Sequence, residues 1–577
     1  MSIAGIFSVT ESKSHKIFNF AGIKLRVKSY TELDKKINQD ISKYKYIHIM
    51  YNNKFNKPFV DFLNSHFNPQ EHMILCHRAY EDKEPTLFPR GENVYEYVHL
   101  DKINLNKENI DKIICHSLFP AGLVNKLYKE KNLLKKSYWV IWGGDLYNAK
   151  RDKKNDFVRK NFKKFAVETI PDINFYEQHY KDKKDYIKVM YIYPLKRGML
   201  DIPKTSSDTI YVQINNSSDF STLEILDTLS IYKNFNIKVR TILSYGCLEY
   251  KDEIIKKGKK IFGDKFEYLD TLLAPQEYAQ YLSQNNILIL NHSRQQGLGN
   301  TLASLYLGCK VFIKSDISTY IHLTNEGIKI YDTNKIKNMS FEEFVSNPQI
   351  IFEKNKKEVS KFYDENYLAN LWNNLFIDID TKKYWHERVK KHGKRSVYNM
   401  RHQNNELNQI DLVQKEIYLN ILKKYLTNSE SIALDFGCGP GRFSGMLADI
   451  VNSKVYAVDP IEDLLKLAPK HSKVLYQKLE NNSLNIPDKS VDIIFVSLVL
   501  GGIVNDMDLQ ATINEFKRVA KDDALFFIVE NTAKHPNSGY WHYRSYDEYK
   551  KLFNFLNLNL ETTYTDCGEE ISIMVGK

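Results

Sequence analysis

Strand-sized apolar runs alternate with helix-sized amphipathic segments along most of this 577-residue chain, and that alternation restricts the fold more than any other feature. From about residue 44 the runs YIHIM, MILC, IICHSL and YWVIWGG are separated by polar, helix-like stretches. A second series opens at Thr209 with TIYVQINN and continues through IKVRTILS, NILILNH and KVFIK. A third opens at Ser431 with SIALDFG and passes through KVYAVD, VDIIFVSLVL and ALFFIVEN. Near-continuous apolar strands between amphipathic helices are the signature of parallel sheets covered on both faces. One core cannot serve the whole length, because cores stop growing near ~250–300 residues. The pattern predicts an α/β protein of three lobes, spanning residues 1–200, 201–375 and 376–577. The joint before the last falls near Ile379, within a helical, charged stretch from Ser340 to Tyr425.

Composition excludes several classes. With 43% hydrophobic and 27% charged residues the chain is not a disordered one. Lys and Arg number 82 against 71 Asp and Glu, a modest excess that suits an anionic nucleotide or membrane surface and is no nucleic-acid signature. The cysteines (Cys76, Cys115, Cys247, Cys309, Cys438, Cys567) form no CxxC pair, which argues against a disulfide framework and a zinc site. The start lacks a signal-peptide pattern, and no run approaches ~18 uninterrupted apolar residues. The expectation is a cytoplasmic protein.

The segment Asp435-Phe-Gly-Cys-Gly-Pro-Gly-Arg-Phe joins a strand-like run to a helix-like one. Gly437, Gly439 and Gly441 allow a sharp turn and close backbone approach to a ligand at a strand's carboxyl end. The spacing is GxGxG after an acidic residue, not the GxGxxG of a pyrophosphate cradle. Asp459 ends the next strand, where a carboxylate can accept ribose hydroxyls. From about Tyr384 to Lys577 the chain resembles the class I (Rossmann-like) methyltransferases, which use S-adenosyl-L-methionine. That resemblance implies Glu480 and Asn481 beside the adenine. Methyl transfer to a hydroxyl calls for a base, and Glu530 and His542 are the candidates. Tyr540, Trp541 and Tyr543 are candidates for a sugar platform.

Upstream, the strand NILILNH runs into Ser-Arg-Gln-Gln-Gly-Leu-Gly-Asn-Thr and then a helix-like LASLYLG. A strand, a glycine turn and a helix N-terminus make an anion site, because unpaired N–H groups and the helix dipole favour a diphosphate. Arg294, Gln295, Gln296, Gly297 and Gly299 are its candidate donor-binding residues. Asn215, Ser217 and Asp219, in the loop after the first strand of that lobe, are expected to join them. No DxD triplet precedes residue 376, so no metal is expected. Asp145, in Tyr138-Trp-Val-Ile-Trp-Gly-Gly-Asp-Leu-Tyr147, is a candidate for activating an acceptor hydroxyl, with helix N-capping as the alternative.

The Tyr138–Tyr147 stretch, the Asn215–Asp219 loop, LSYG at 243–246 and Arg294–Gly299 resemble the 4-acetamido-4,6-dideoxygalactose transferases of enterobacterial common antigen synthesis, over roughly residues 40–370. The resemblance implies GT-B-like twin Rossmann lobes, an N-terminal acceptor lobe and a C-terminal donor lobe. It also implies a dTDP-sugar donor, a lipid-linked oligosaccharide acceptor and peripheral contact with the inner face of the membrane. The combined reading is a bifunctional glycan-building enzyme. The alternatives are a methyltransferase fused to an inactive docking module and, behind it, a nucleic-acid methyltransferase, which predicts basic and aromatic residues clustered on one face.

Overall fold

Parallel strands cannot be joined by tight turns, so each pair needs a crossover, usually a helix, and the chain is built from such units. The computed structural model describes residues 7–11, 15–20, 23–28, 32–77, 90–203, 207–215, 221–244, 250–427, 429–480 and 482–577. Contacts divide the chain into two units, Met1–Trp372 and Asn373–Lys577.

Unit one opens with β1 (Phe7–Glu11), β2 (His15–Phe20) and β3 (Ile23–Lys28), an antiparallel sheet that the sequence pattern did not reveal. Two parallel sheets follow. The first contains β4 (Tyr46–Met50), β5 (His72–His77), β6 (Val94–Tyr97), β7 (Lys112–His116), β8 (Ser137–Val140), β9 (Lys164–Val167) and β10 (Tyr186–Lys188), in the order β10-β9-β8-β7-β4-β5-β6. The second contains β11 (Ile210–Asn215), β12 (Ile237–Ile242), β13 (Phe266–Leu269), β14 (Ile287–Leu290), β15 (Lys310–Ile313) and β16 (Tyr331–Asp332), in the order β13-β12-β11-β14-β15-β16. In both, the order reverses beside the first strand, and the crevice at such a switch point is where open α/β sheets bind ligands. Ile287 to Leu290 are all buried, as expected of a central strand covered on both faces.

The first sheet has an unusual polar row through its core. His72 Nδ1 lies 3.0 Å from His48 Nε2, His48 Nδ1 lies 2.9 Å from His116 Nε2, and His116 Nδ1 bonds the Tyr191 hydroxyl. Burial pushes His72 and His116 down to about 3, and His48 also falls well below the ordinary histidine range. All three rings are therefore neutral at physiological pH. Trp372 stacks on His116 and donates its indole N–H to the Met190 carbonyl.

Unit two contains β17 (Ile432–Phe436), β18 (Lys454–Asp459), β19 (Val474–Lys478), β20 (Val491–Ser497), β21 (Ala520–Asn531), β22 (Asn559–Asp566) and β23 (Glu569–Gly576), ordered β19-β18-β17-β20-β21-β23-β22. Five strands are parallel, and β23 inserts antiparallel between β21 and β22. The β22–β23 hairpin turns on Cys567 and Gly568, both with positive φ, the conformation that two-residue hairpin loops require. Among the described residues, no helix is long and apolar enough to cross a membrane.

Candidate functional site

Each unit gathers its chemistry at the carboxyl ends of its parallel strands. In unit two, β17 runs directly into the glycine turn. Gly437 and Cys438 donate their N–H groups to the Val458 carbonyl at the end of β18, 2.7 and 3.1 Å away. The turn is thereby tied to the strand that carries Asp459. Gly437 has φ +68°, and a Cβ there would stand 2.4 Å from Val499, so only glycine fits. Asp459 accepts from Gly439 N at 3.0 Å and Ile461 N at 2.8 Å, one bond to each oxygen. Each oxygen keeps a lone pair for a further donor. Burial raises Asp459 to about 6 and Asp435, which accepts from the Ser444 hydroxyl at 2.6 Å, to about 7.

Asp435, Gly437, Gly439 and Asp459 line a cavity of about 620 Å³, within the range of small-molecule sites. Its walls include Trp385, Tyr398, Leu479, Asn482, Tyr540, Trp541 and Tyr543. Gly441 is part of the same turn, and a Cβ there would meet the Tyr476 hydroxyl at 2.5 Å. Three expectations need correction. Glu480 is exposed, lies 3.3 Å from Lys478 and does not line the cavity; Leu479 and Asn482 on either side do. Asn481 lies outside the described residues. Glu530 is fully buried and accepts N–H bonds from Val499, Leu500 and Gly501 at 2.8, 2.6 and 3.2 Å, with the Tyr549 hydroxyl at 3.3 Å. Its lone pairs are spent on the 499–501 loop, so it anchors that loop and is not a base. His542 is buried, its backbone N–H bonds Gly501 O, and burial pushes its ring down to about 4. Its neighbours Trp541 and Tyr543 line the cavity, but His542 does not.

In unit one, β14 leads through Asn291 and His292 to the loop of Arg294–Gly297, and Gly297, which has no side chain to cap with, stands at the N-cap of the helix Leu298–Tyr306. Arg294 donates to the Gln295 carbonyl at 2.8 Å. Asn215 ends β11 beneath this turn: a Cβ on Gly297 would come within 3.3 Å of its amide. Ser217 and Asp219 lie outside the described residues. Loops of the other sheet meet the same place. A Cβ on Gly299 would strike the Tyr193 ring at 2.6 Å, and one on Gly143 would meet Gln295 Oε1 at 2.2 Å. The Tyr147 hydroxyl lies 3.0 Å from Ser318 Oγ and donates to Asp172 at 2.6 Å. Gln296 is partly buried in the same loop.

Asp145 differs from both roles expected of it. Gly143 centres a three-residue turn, with φ 79°, ψ −63° and a Gly144 N to Trp142 O bond of 3.0 Å. Asp145 closes that turn by accepting from Trp142 N at 2.9 Å, Trp139 Nε1 at 2.6 Å and Leu118 N at 3.0 Å. It is buried and spends three acceptor positions on these N–H groups, which makes it a brace for the turn rather than a base or an N-cap. The carboxylate that sequence reasoning missed is Glu168. It follows β9 directly, accepts from Tyr191 N at 2.7 Å and the Tyr193 hydroxyl at 3.0 Å, and burial raises it to about 7. Its position one residue beyond a strand end was the available signal.

These geometries gather the candidate site residues of both units at strand carboxyl ends of α/β sheets. The family model described as "4-alpha-L-fucosyltransferase glycosyl transferase group 56" matches residues 55–380, more than half of the chain. A methyltransferase-domain model matches residues 434–528. The chain belongs to the glycosyl transferase group 56 family, and it carries a methyltransferase domain as well; it is a transferase on both counts. Among solved structures, the chain is similar to an S-adenosylmethionine-dependent methyltransferase from Aquifex aeolicus (20% identity, 34% of this chain and 99% of that one, TM-score 0.26). It is also similar to phosphoethanolamine N-methyltransferase 1 of Haemonchus contortus (18% identity, 34% and 48%, TM-score 0.28).

Proposed function

We propose that the chain adds an amino-sugar to a glycan and methylates a sugar hydroxyl of the product. In this reading residues 1–200 form an acceptor lobe and 201–375 a nucleotide-sugar lobe in a GT-B-like arrangement, and 376–577 form the methyltransferase. The donor is a dTDP-linked 4-acetamido-4,6-dideoxyhexose. That sugar is a 6-deoxyhexose bearing nitrogen at C4, compatible with a family described by fucosyl transfer. The acceptor is a lipid-linked oligosaccharide, reached at the inner face of the membrane with help from the net charge of +11.

The observation that carries the methyltransferase half is the hydrogen-bonded pairing of the glycine turn with Asp459 on the cavity wall. S-adenosylmethionine supplies a sulfonium-activated methyl group when bound. Asp459 would hold its ribose hydroxyls, the Gly437–Gly441 backbone would leave room for its amino-acid end, and Leu479 and Asn482 would border its adenine. Tyr540, Trp541 and Tyr543 offer apolar faces to a sugar ring.

In the first half, the N-terminus of the helix Leu298–Tyr306 and the Arg294 guanidinium hold the diphosphate. The acceptor hydroxyl attacks the anomeric carbon, dTDP departs, and Glu168 takes the hydroxyl proton. Its position near 7 suits a general base at neutral pH. Fusing the two activities raises the effective concentration of the intermediate at the second site.

Calorimetry tests both halves, with S-adenosylmethionine and dTDP titrated into the full chain and into Asp459→Ala and Arg294→Ala variants. Each substitution is expected to weaken its own ligand only. Absence of any dTDP binding would turn the first unit into a docking module.

A further inference from the structure

At one rim of the unit-two cavity, three metal-ligating side chains of different chemistry converge from distant parts of the sequence. His402 Nε2 lies 2.5 Å from Asp566 Oδ1, and Cys567 Sγ lies 3.4 Å from the same nitrogen. The three ligand atoms all fall within 4.8 Å of one another. Asp566 and Cys567 are presented together by the β22–β23 turn, whose positive φ at Cys567 and Gly568 fixes their directions. Among the described cysteines, Cys567 alone is not buried.

Tetrahedral zinc, with bonds of about 2.0 Å to nitrogen or oxygen and about 2.3 Å to sulfur, separates N and S by about 3.5 Å and N and O by about 3.3 Å. The Sγ-to-Nε2 spacing matches, but Sγ also stands 3.6 Å from Nδ1, so the imidazole has to turn for its Nε2 lone pair to face a metal shared with the sulfur. Asp566 needs to withdraw by about 0.8 Å, exchanging one hydrogen bond for coordination of both partners. The other imidazole nitrogen, Nδ1, stands 3.8 Å from Glu406, on the side where a carboxylate orients a metal-bound histidine. A carboxylate and a thiolate together neutralise a dication. The nearby Arg401 donates to the Cys567 carbonyl at 2.8 Å and lies 4.0 Å from Glu569.

We propose that His402, Asp566 and Cys567 bind one thiophilic divalent cation of the zinc class. Three protein ligands leave a fourth position for an oxygen donor, the arrangement of open rather than closed zinc sites. Of the three ligands, Asp566 also lines the cavity. This runs against the sequence expectation of no metal, which rested on spacing along the chain. It does not depend on the identity of the methyl donor.

The test uses the full chain in a Cys247→Ser background, treated with chelator and titrated with cobalt(II). The expected result is a thiolate-to-cobalt charge-transfer band saturating at one equivalent. Cys567→Ser is expected to abolish the band, and His402→Ala to weaken binding by more than about tenfold, with the wild-type thermal midpoint kept in both. A second measurement needs no variant at these positions: one equivalent of zinc is expected to slow alkylation of Cys567 by about tenfold, read by mass spectrometry. No saturable band, a band that survives Cys567→Ser, or an alkylation rate indifferent to zinc overturns the proposal.

Discussion

Glu530→Gln separates a loop anchor from a catalytic base. The native carboxylate accepts two N–H bonds on Oε1, from Val499 and Leu500, and one on Oε2, from Gly501. Glutamine keeps one acceptor oxygen. If that oxygen takes the Val499–Leu500 pair, the new NH₂ group faces the Gly501 N–H, and a buried donor loses its acceptor. Such a loss costs about 1–3 kcal/mol, so ~2 kcal/mol is the expected destabilisation. For a unit of this size that lowers Tm by ~4–8 °C. Arg544 adds to the effect, since it pins the same loop through the Leu500 carbonyl at 2.9 Å. Leu498, Val499 and Gly502 line the cavity, so S-adenosylmethionine affinity is expected to fall about tenfold, equivalent to ~1.4 kcal/mol. Differential scanning fluorimetry of the full chain, with and without S-adenosylmethionine, reads both effects at once. An unchanged Tm together with a methyl-transfer rate reduced by about 10²-fold or more would restore Glu530 as a base and refute the anchoring argument.

Three further outcomes are expected. Asp459 sits near 6 in the unliganded protein, and ribose hydroxyls donate to its ionised form. Affinity for S-adenosylmethionine is therefore full above that pH and falls by at most about tenfold per pH unit below it; calorimetry from pH 5 to 8 giving a flat profile would contradict the assignment. Glu168→Gln is expected to reduce glycosyl transfer by about 10²-fold or more with the donor KM nearly unchanged, and to remove a rise in rate through about pH 7. A variant as fast as wild type would exclude Glu168 as the base. Gly143→Ala places a Cβ 2.2 Å from Gln295 Oε1 in a turn costing about 1–3 kcal/mol for any other residue. dTDP binding is expected to weaken; unaltered binding would show that the turn and the Arg294–Gly299 loop are energetically independent.

Hydrophobic patterning made the parallel strands of both units legible, because a strand buried on both faces must be apolar throughout, as in Ile287–Leu290. The glycine turns were legible for a similar reason: Gly437 and Gly297 occupy backbone conformations that side chains resist. The roles of carboxylates were not. Asp145, Glu530 and Glu168 all stand at or near strand ends, and in sequence they look alike. What distinguishes them is where the neighbouring N–H groups point: three backbone or indole donors converge on Asp145 and three backbone donors on Glu530, while Glu168 has one backbone donor and a tyrosine hydroxyl. That depends on loop geometry set by tertiary packing. The β1–β3 sheet and the β22–β23 hairpin escaped for a different reason, since their strands do not show continuous apolar character.

The row of three imidazoles in the first sheet has a direction. A neutral ring donates from one nitrogen and accepts at the other, so the tautomer of His48 dictates those of His72 and His116. The row therefore has two self-consistent senses, and nothing between them short of a broken bond. The senses differ at the Tyr191 hydroxyl, which donates to His116 in one and accepts from it in the other. Tyr191 is also the residue whose backbone N–H holds Glu168. A proton position set at the amino end of β5 is thus legible two strands away, where His116 of β7 meets Tyr191, carried without net charge and without any atom heavier than hydrogen having to move.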